Sequence, residues 1–228
     1  MNALLAAAAA FFLLHMMPAT PLRGRLIGLA GEGPYLGAFT VLAIATIWLL
    51  ATAFGAAPPG QDYWTVPPWW LWLEAGLILF AFILAVTGML TPNPSSLGAA
   101  KVLENPNAAD GIFAITRHPM MWGIAIWAIA HTISQATVRG FVFFGTFAAT
   151  ALIGSWLQQR RKRATLPAWA EFEAKTSFVP FAAILDGRAK LSLKAIGWVR
   201  IAIAVLVWAL LLHFHVLLFG RQPLPIYS

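Results

Sequence analysis

Residues 69–90 read Trp-Trp-Leu-Trp-Leu-Glu-Ala-Gly-Leu-Ile-Leu-Phe-Ala-Phe-Ile-Leu-Ala-Val-Thr-Gly-Met-Leu, an apolar run with a single charge, Glu74. As an α-helix at about 1.5 Å per residue, such a run rises about 33 Å, enough for a hydrocarbon core of about 30 Å. Comparable runs occur at 3–20, 36–55, 119–137, 141–158 and 199–219. Continuous apolar runs of this length point to helices, which keep every backbone hydrogen bond inside the segment. The expected architecture is an all-α polytopic bundle of about six transmembrane helices. It forms one integral membrane domain over 1–228, with a short amphipathic helix on its cytoplasmic side.

Composition agrees. The chain of 228 residues is 60% hydrophobic and only 10% charged, against about 25% charged in soluble domains. The net charge of +7 raises nucleic acid as a partner. Its distribution argues against that, because the basic residues flank apolar runs, where they set topology. Membrane lipids are the expected surroundings. No cysteine is present, which removes disulfides, zinc–thiolate sites and a thiol nucleophile and leaves imidazole, thioether and carboxylate as ligands.

Arg23, Arg25, Lys101, Arg117 and the stretch from Arg160 to Arg200 fall on one side of the expected spans, and only Arg139 and Arg221 on the other. The positive-inside rule then puts both termini outside the cytoplasm. No basic n-region precedes the first run, so it reads as a membrane helix rather than a cleaved leader, and a bacterial inner membrane is expected. A tight turn around Val138–Gly140 joins the fourth and fifth spans. In the polar segment 159–198, Leu166-Pro-Ala-Trp169 resembles a helix start, with Trp169, Phe172 and Thr176 on one face of a helix lying on the membrane surface. The stretch 177–185 is too short to cross; it dips into the interface or covers a cavity.

The titratable side chains near the spans are the candidates for chemistry, since such groups are costly in hydrocarbon and usually functional. His15 sits in the first span beside Phe11 and Phe12. His131 ends a stripe with Gly123 and Trp127 on the fourth. Each is either a ligand or an imidazole bonded within the bundle. Arg117 and His118 precede Pro119 at a helix mouth, where a guanidinium fork and a helix N-terminus suit a carboxylate or phosphate; simple anchoring is the alternative. His213 and His215 lie about 200° apart on a helix and cannot both face one ligand. Glu74 reads as a carboxylate snorkelling to the outer interface. Imidazoles from two helices are an ordinary way to hold haem iron. His15 and His131 suit that if their helices adjoin, although their depths differ by about 10 Å; His118 is the alternative partner.

Three segments carry a family resemblance: Gly111-Ile-Phe-Ala-Ile-Thr-Arg-His-Pro-Met-Met-Trp-Gly123, Ala130-His-Thr132, and Thr176-Ser-Phe-Val-Pro-Phe-Ala-Ala-Ile-Leu-Asp-Gly-Arg188. Together with His15 and the Leu22-Arg-Gly-Arg25 that follows it, they resemble the NnrU family of membrane proteins. That family contains bacterial proteins linked to nitrite and nitric oxide reduction, and also the 15-cis-zeta-carotene isomerases. The resemblance implies haem b held by two histidines in the isomerase branch, at positions matching His15 and His131. His118 would then lie near the site, and Arg117 would pair with a haem propionate. Ile129 and the absence of cysteine before His131 depart from that branch. The Arg-His-Pro element is also similar to one in isoprenylcysteine methyltransferases and sterol reductases. Arg160-Arg-Lys-Arg163 stands where those methyltransferases carry adjacent acids, so a methyl-donor site has no support. Three functions are expected in descending order: redox-linked cis–trans isomerisation of an apolar polyene, a non-catalytic accessory role in denitrification with a redox partner, and small-molecule transport.

Overall fold

The structure, a computed structural model, describes residues 1–94 and 99–225, and no strand occurs among them. In chain order the helices are α1 (Asn2–Met16), α2 (Pro21–Ala30), α3 (Glu32–Ala56), α4 (Pro68–Met89), α5 (Ala99–Leu103), α6 (Ile112–Ile115) and α7 (Pro119–Gln135). They continue with α8 (Val138–Thr165), α9 (Trp169–Lys175), α10 (Ala182–Leu185), α11 (Leu193–Ile196), α12 (Trp198–His213) and α13 (His215–Phe219).

Among the described residues, four helices are long and apolar enough to cross a membrane: α1 with the 3-10 turn after it, α3, α4 and α8. The expectation was about six. The other two expected spans are shorter, with 17 residues in α7 and 16 in α12, because the run 199–219 breaks at Phe214. The main interfaces form a row: α12 on α4, α4 on α7, α7 on α8, α8 on α1 and α1 on α3. Close approach of α4 and α7 depends on glycine. A Cβ at Gly123 would stand 2.6 Å from the Ala81 carbonyl oxygen, and one at Gly88 would stand 2.8 Å from Pro119.

Three boundaries differ from expectation. The hairpin turn lies at Ala136–Thr137 rather than 138–140; Ala136 takes φ +41°, and Thr137 caps α8 by accepting from the Gly140 N–H at 3.2 Å. The fifth span does not stop at 158. Nothing breaks the helix before Pro167, and Arg and Lys are good helix formers, so Arg160–Arg163 are helical. The helix expected on the membrane surface, α9, instead turns its apolar face into the protein: Trp169 and the adjoining Thr176 are fully buried and Phe172 nearly so, while Glu171 and Lys175 stay exposed. Its apolar face meets Ile112, Phe113, Leu84 and Ile196 rather than lipid.

With α9, the stretch 177–185 forms a cap over the basic ends of α4 and α7. The Arg117 N–H donates to Ser177 O at 2.9 Å, the Phe181 N–H to Ile115 O at 2.7 Å, and the Trp122 indole N–H to Phe178 O at 2.7 Å. Gly111, at φ +64°, lets this loop touch the backbone of Ala195, which a Cβ there would approach to 2.7 Å.

Candidate functional site

The sequence candidates separate into three places. Arg117 and His118, the latter the N-cap of α7, lie in the cap at 6% and 2% exposure. The Arg117 guanidinium is ion-paired with Glu173 of α9. It also donates to Gln159 Oε1 of α8 at 3.3 Å and to the carbonyls of Glu173 and Thr176 at 3.2 and 2.8 Å. The anion expected at this helix mouth is therefore supplied from within the chain, by the Glu173 carboxylate. Burial lowers the Arg117 pKa, and the Glu173 charge opposes that. Burial alone would raise the Glu173 carboxyl, but its bond to Arg163 and the Arg117 charge hold it below its ordinary value. His118 is pushed down to about 3 by burial and then by Arg117, against a hydrogen bond with Gln159 and the Glu173 charge. It is a neutral imidazole packed on Phe178, ring centroids 5.6 Å apart.

His131 lies about 20 Å further along α7 at 1.5 Å per residue. Its Nδ1 donates to the Trp127 carbonyl at 3.0 Å and lies 3.5 Å from Glu74 Oε1 of α4. Glu74 also accepts from the Ser134 hydroxyl, which in turn accepts from the Trp70 indole at 2.8 Å. Glu74 is thus turned inward, where sequence placed it at the outer interface. The signal was present, since a carboxylate inside an apolar run seeks a polar partner, but its partners lie 57 and 60 positions away. A neutral imidazole whose Nδ1 carries the donated proton keeps its lone pair on Nε2. A carboxylate behind the ring fixes it in that state.

His15 stands apart. Its Nδ1 donates to Phe11 O at 2.8 Å, and its ring packs on Phe11 and on Phe39 of α3. Between His15 and His131 runs a chain of rings. Centroid spacings are 4.1 Å from His15 to Phe11, 4.9 Å to Phe147, 5.5 Å to Trp127 and 5.2 Å to His131. Phe147 belongs to α8, which stands between the two histidine helices. Each imidazole alone fits an iron donor. The pair in this arrangement does not fit a porphyrin, because Phe147 and Trp127 occupy the interval and His15 turns toward α3. Among the described residues, no cluster of three or more His, Asp or Glu forms a metal site. His213 is exposed, and His215 donates from Nδ1 to Arg221 O at 2.8 Å, within electrostatic reach of His131.

An apolar helical row with a polar centre inside it and a sealed cap at one end defines an integral membrane protein. The profile of the family described as NnrU protein matches residues 3–223, and the chain belongs to that family. It is similar to the chloroplastic 15-cis-zeta-carotene isomerase of Zea mays, at 39% identity over 82 residues, 36% of this chain and 22% of the relative. The protein of the same name from Arabidopsis thaliana is 40% identical over 82 residues, 34% of this chain and 22% of the relative. The matched stretch thus spans about a fifth of those relatives' length. No solved structure matches.

Proposed function

We propose that this protein is an isomerase of apolar polyenes, acting from within the bilayer on a cis double bond of a carotenoid of the zeta-carotene type. The observation that carries this is the similarity to two 15-cis-zeta-carotene isomerases within a shared family. The inward-facing group of Glu74, Ser134 and His131 supports it, as a polar centre kept at a cost inside apolar helices. Glu74 and the Trp127 carbonyl hold the His131 ring, leaving Nε2 as the atom offered to a ligand. The apolar flanks of α4, α7 and α8 let a polyene approach sideways from the lipid. By the positive-inside rule the cap faces the cytoplasm of a bacterial cell, with both termini opposite.

Haem b shared by His15 and His131 is not part of this proposal, because Phe147 and Trp127 lie between the two imidazoles. Purified protein in nanodiscs, given 15-cis-zeta-carotene under reducing and then oxidising conditions, is expected to yield the isomer lacking the central cis bond. Absence of conversion in both conditions overturns the isomerase reading. A Soret band lost in both His15→Ala and His131→Ala would establish the shared haem and require α1 and α7 to close around α8. A band dependent on His131 alone would leave His15 out of the site.

A further inference from the structure

One open cleft lies at the basic end, where the start of α2 meets α8. It has a volume of about 420 Å³ and is lined by Ala19, Thr20, Pro21, Leu157, Arg160 and Arg161. That volume falls in the range of about 300–1,000 Å³ typical of small-molecule sites. Its chemistry is divided. Ala19, Pro21 and Leu157 give it an apolar wall, and two guanidinium groups give it a cationic rim.

The chain does not neutralise that rim. Glu173 takes Arg117 and Arg163, and Glu32 takes Arg23, 3.3 Å away. Among the described residues no carboxylate pairs with Arg160 or Arg161. Arg160 instead lies over the Trp156 ring, 4.7 Å from its centroid. Trp156 is itself 45% exposed, one helical turn from the exposed Ile153. Tryptophan beside arginine, at the end of an apolar helix face, marks the level where acyl chains give way to headgroups.

We infer that this cleft is a binding site for an anionic phospholipid. The phosphate sits on Arg160 and Arg161, the glycerol lies against Thr20 and Pro21, and the acyl chains run up the exposed face of α8 past Trp156 and Ile153. Guanidinium forks suit phosphate oxygens in a way that a lysine does not. The site is independent of the isomerase reading and of haem.

The test uses the full chain in nanodiscs of phosphatidylcholine with or without phosphatidylglycerol, followed by native mass spectrometry and thermal unfolding. The wild-type protein is expected to retain phosphatidylglycerol selectively and to melt higher in its presence. Arg160→Gln with Arg161→Gln is expected to weaken retention at least about tenfold, a loss of about two charge-assisted contacts. Leu157→Trp, which fills the cleft and leaves the charges, is expected to weaken it likewise. Lys190→Gln with Lys194→Gln is expected to leave it intact. Equal loss in that control would show a diffuse basic surface and overturn the site. Full competition by soluble glycerol phosphate would make it a site for free phosphate esters and overturn the lipid assignment. If the arginine pair abolished a Soret band while phosphatidylglycerol retention stayed unchanged, the occupant would be a haem propionate and the proposal would fail.

Discussion

The cap and the α1–α3 arm are built on opposite principles. In the cap, residues 111–118 and 169–188 are joined by side-chain and backbone hydrogen bonds around a buried Arg117, and Ile112, Phe113, Ile115, Trp169 and Phe172 are almost fully hidden. In the arm, only 17% of the α1 span and 6% of the α3 span are buried, and Val41, Ile44 and Trp48 are more than 60% exposed. Its helices are joined chiefly by apolar side chains and rings. A buried polar network admits one arrangement, whereas apolar helix faces bordered by lipid can slide or part at low cost. The difference assigns rigidity to the cap and any opening of the row to the arm.

The sharpest way to break this contrast is Glu173→Ala. It leaves the Arg117 guanidinium buried without its carboxylate, a loss expected to cost about 3–5 kcal/mol. Unfolding in detergent, with backbone hydrogen exchange over 111–118, is the measurement. A protein that melts normally with the cap still protected would show that the network does not hold it. Next comes Gly123→Ala. The new Cβ would meet the Ala81 carbonyl oxygen and Ala85 N, at 2.6 and 3.0 Å, both backbone atoms. α4 and α7 must separate, at about 1–3 kcal/mol, which a thermal melt reads directly.

Smaller effects follow from pH and from Glu74. His118 takes up a proton near 6.5 when unfolded but only near 3 when folded. Its contribution is therefore complete above pH 6.5 and declines as pH falls toward 3, with a slope of up to about 1.4 kcal/mol per pH unit. Glu173, held below its ordinary 4.5, adds a loss of the same sign below that pH. His118→Gln should flatten the melt between pH 6.5 and 4.5 and leave the lower limb; an unchanged slope there would remove His118 as its source. Glu74→Gln is expected to cost about 1 kcal/mol, a hydrogen bond's worth, while loosening the His131 ring. NMR of labelled histidine would report lost tautomer preference at His131 with His15 unmoved. A change at both would show that the two histidines share one site.

Much of the fold was legible because crossing hydrocarbon requires only length and apolarity, which can be counted. Each of the six expected runs contains a helix, although the last one breaks at Phe214. The cap was not legible. Trp169 and Phe172 make an apolar face that serves a membrane surface or a protein core equally well, and only the distant Ile112 and Phe113 decide between them. Arg117 and His118 stood out in the sequence, but the carboxylate that claims Arg117 is 56 positions away. His15 and His131 stood out for their chemistry. What sequence could not supply was the order of helices across the row, which inserts α8 and Phe147 between them.

With 28 residues, α8 is about 42 Å long, roughly 12 Å more than a typical hydrocarbon layer is thick. The surplus emerges on the basic side, and Arg163 and Gln159, both on that stub, bolt the cap to it. The cap therefore rides on a stanchion of fixed height. If the bilayer thins or swells, the shorter α7 and α12 and the loosely seated α3 must absorb the mismatch by tilting, while the distance from Arg117 to the lipid boundary is dictated by α8 alone. Membranes of graded thickness would thus tune the row of helices without disturbing the sealed end.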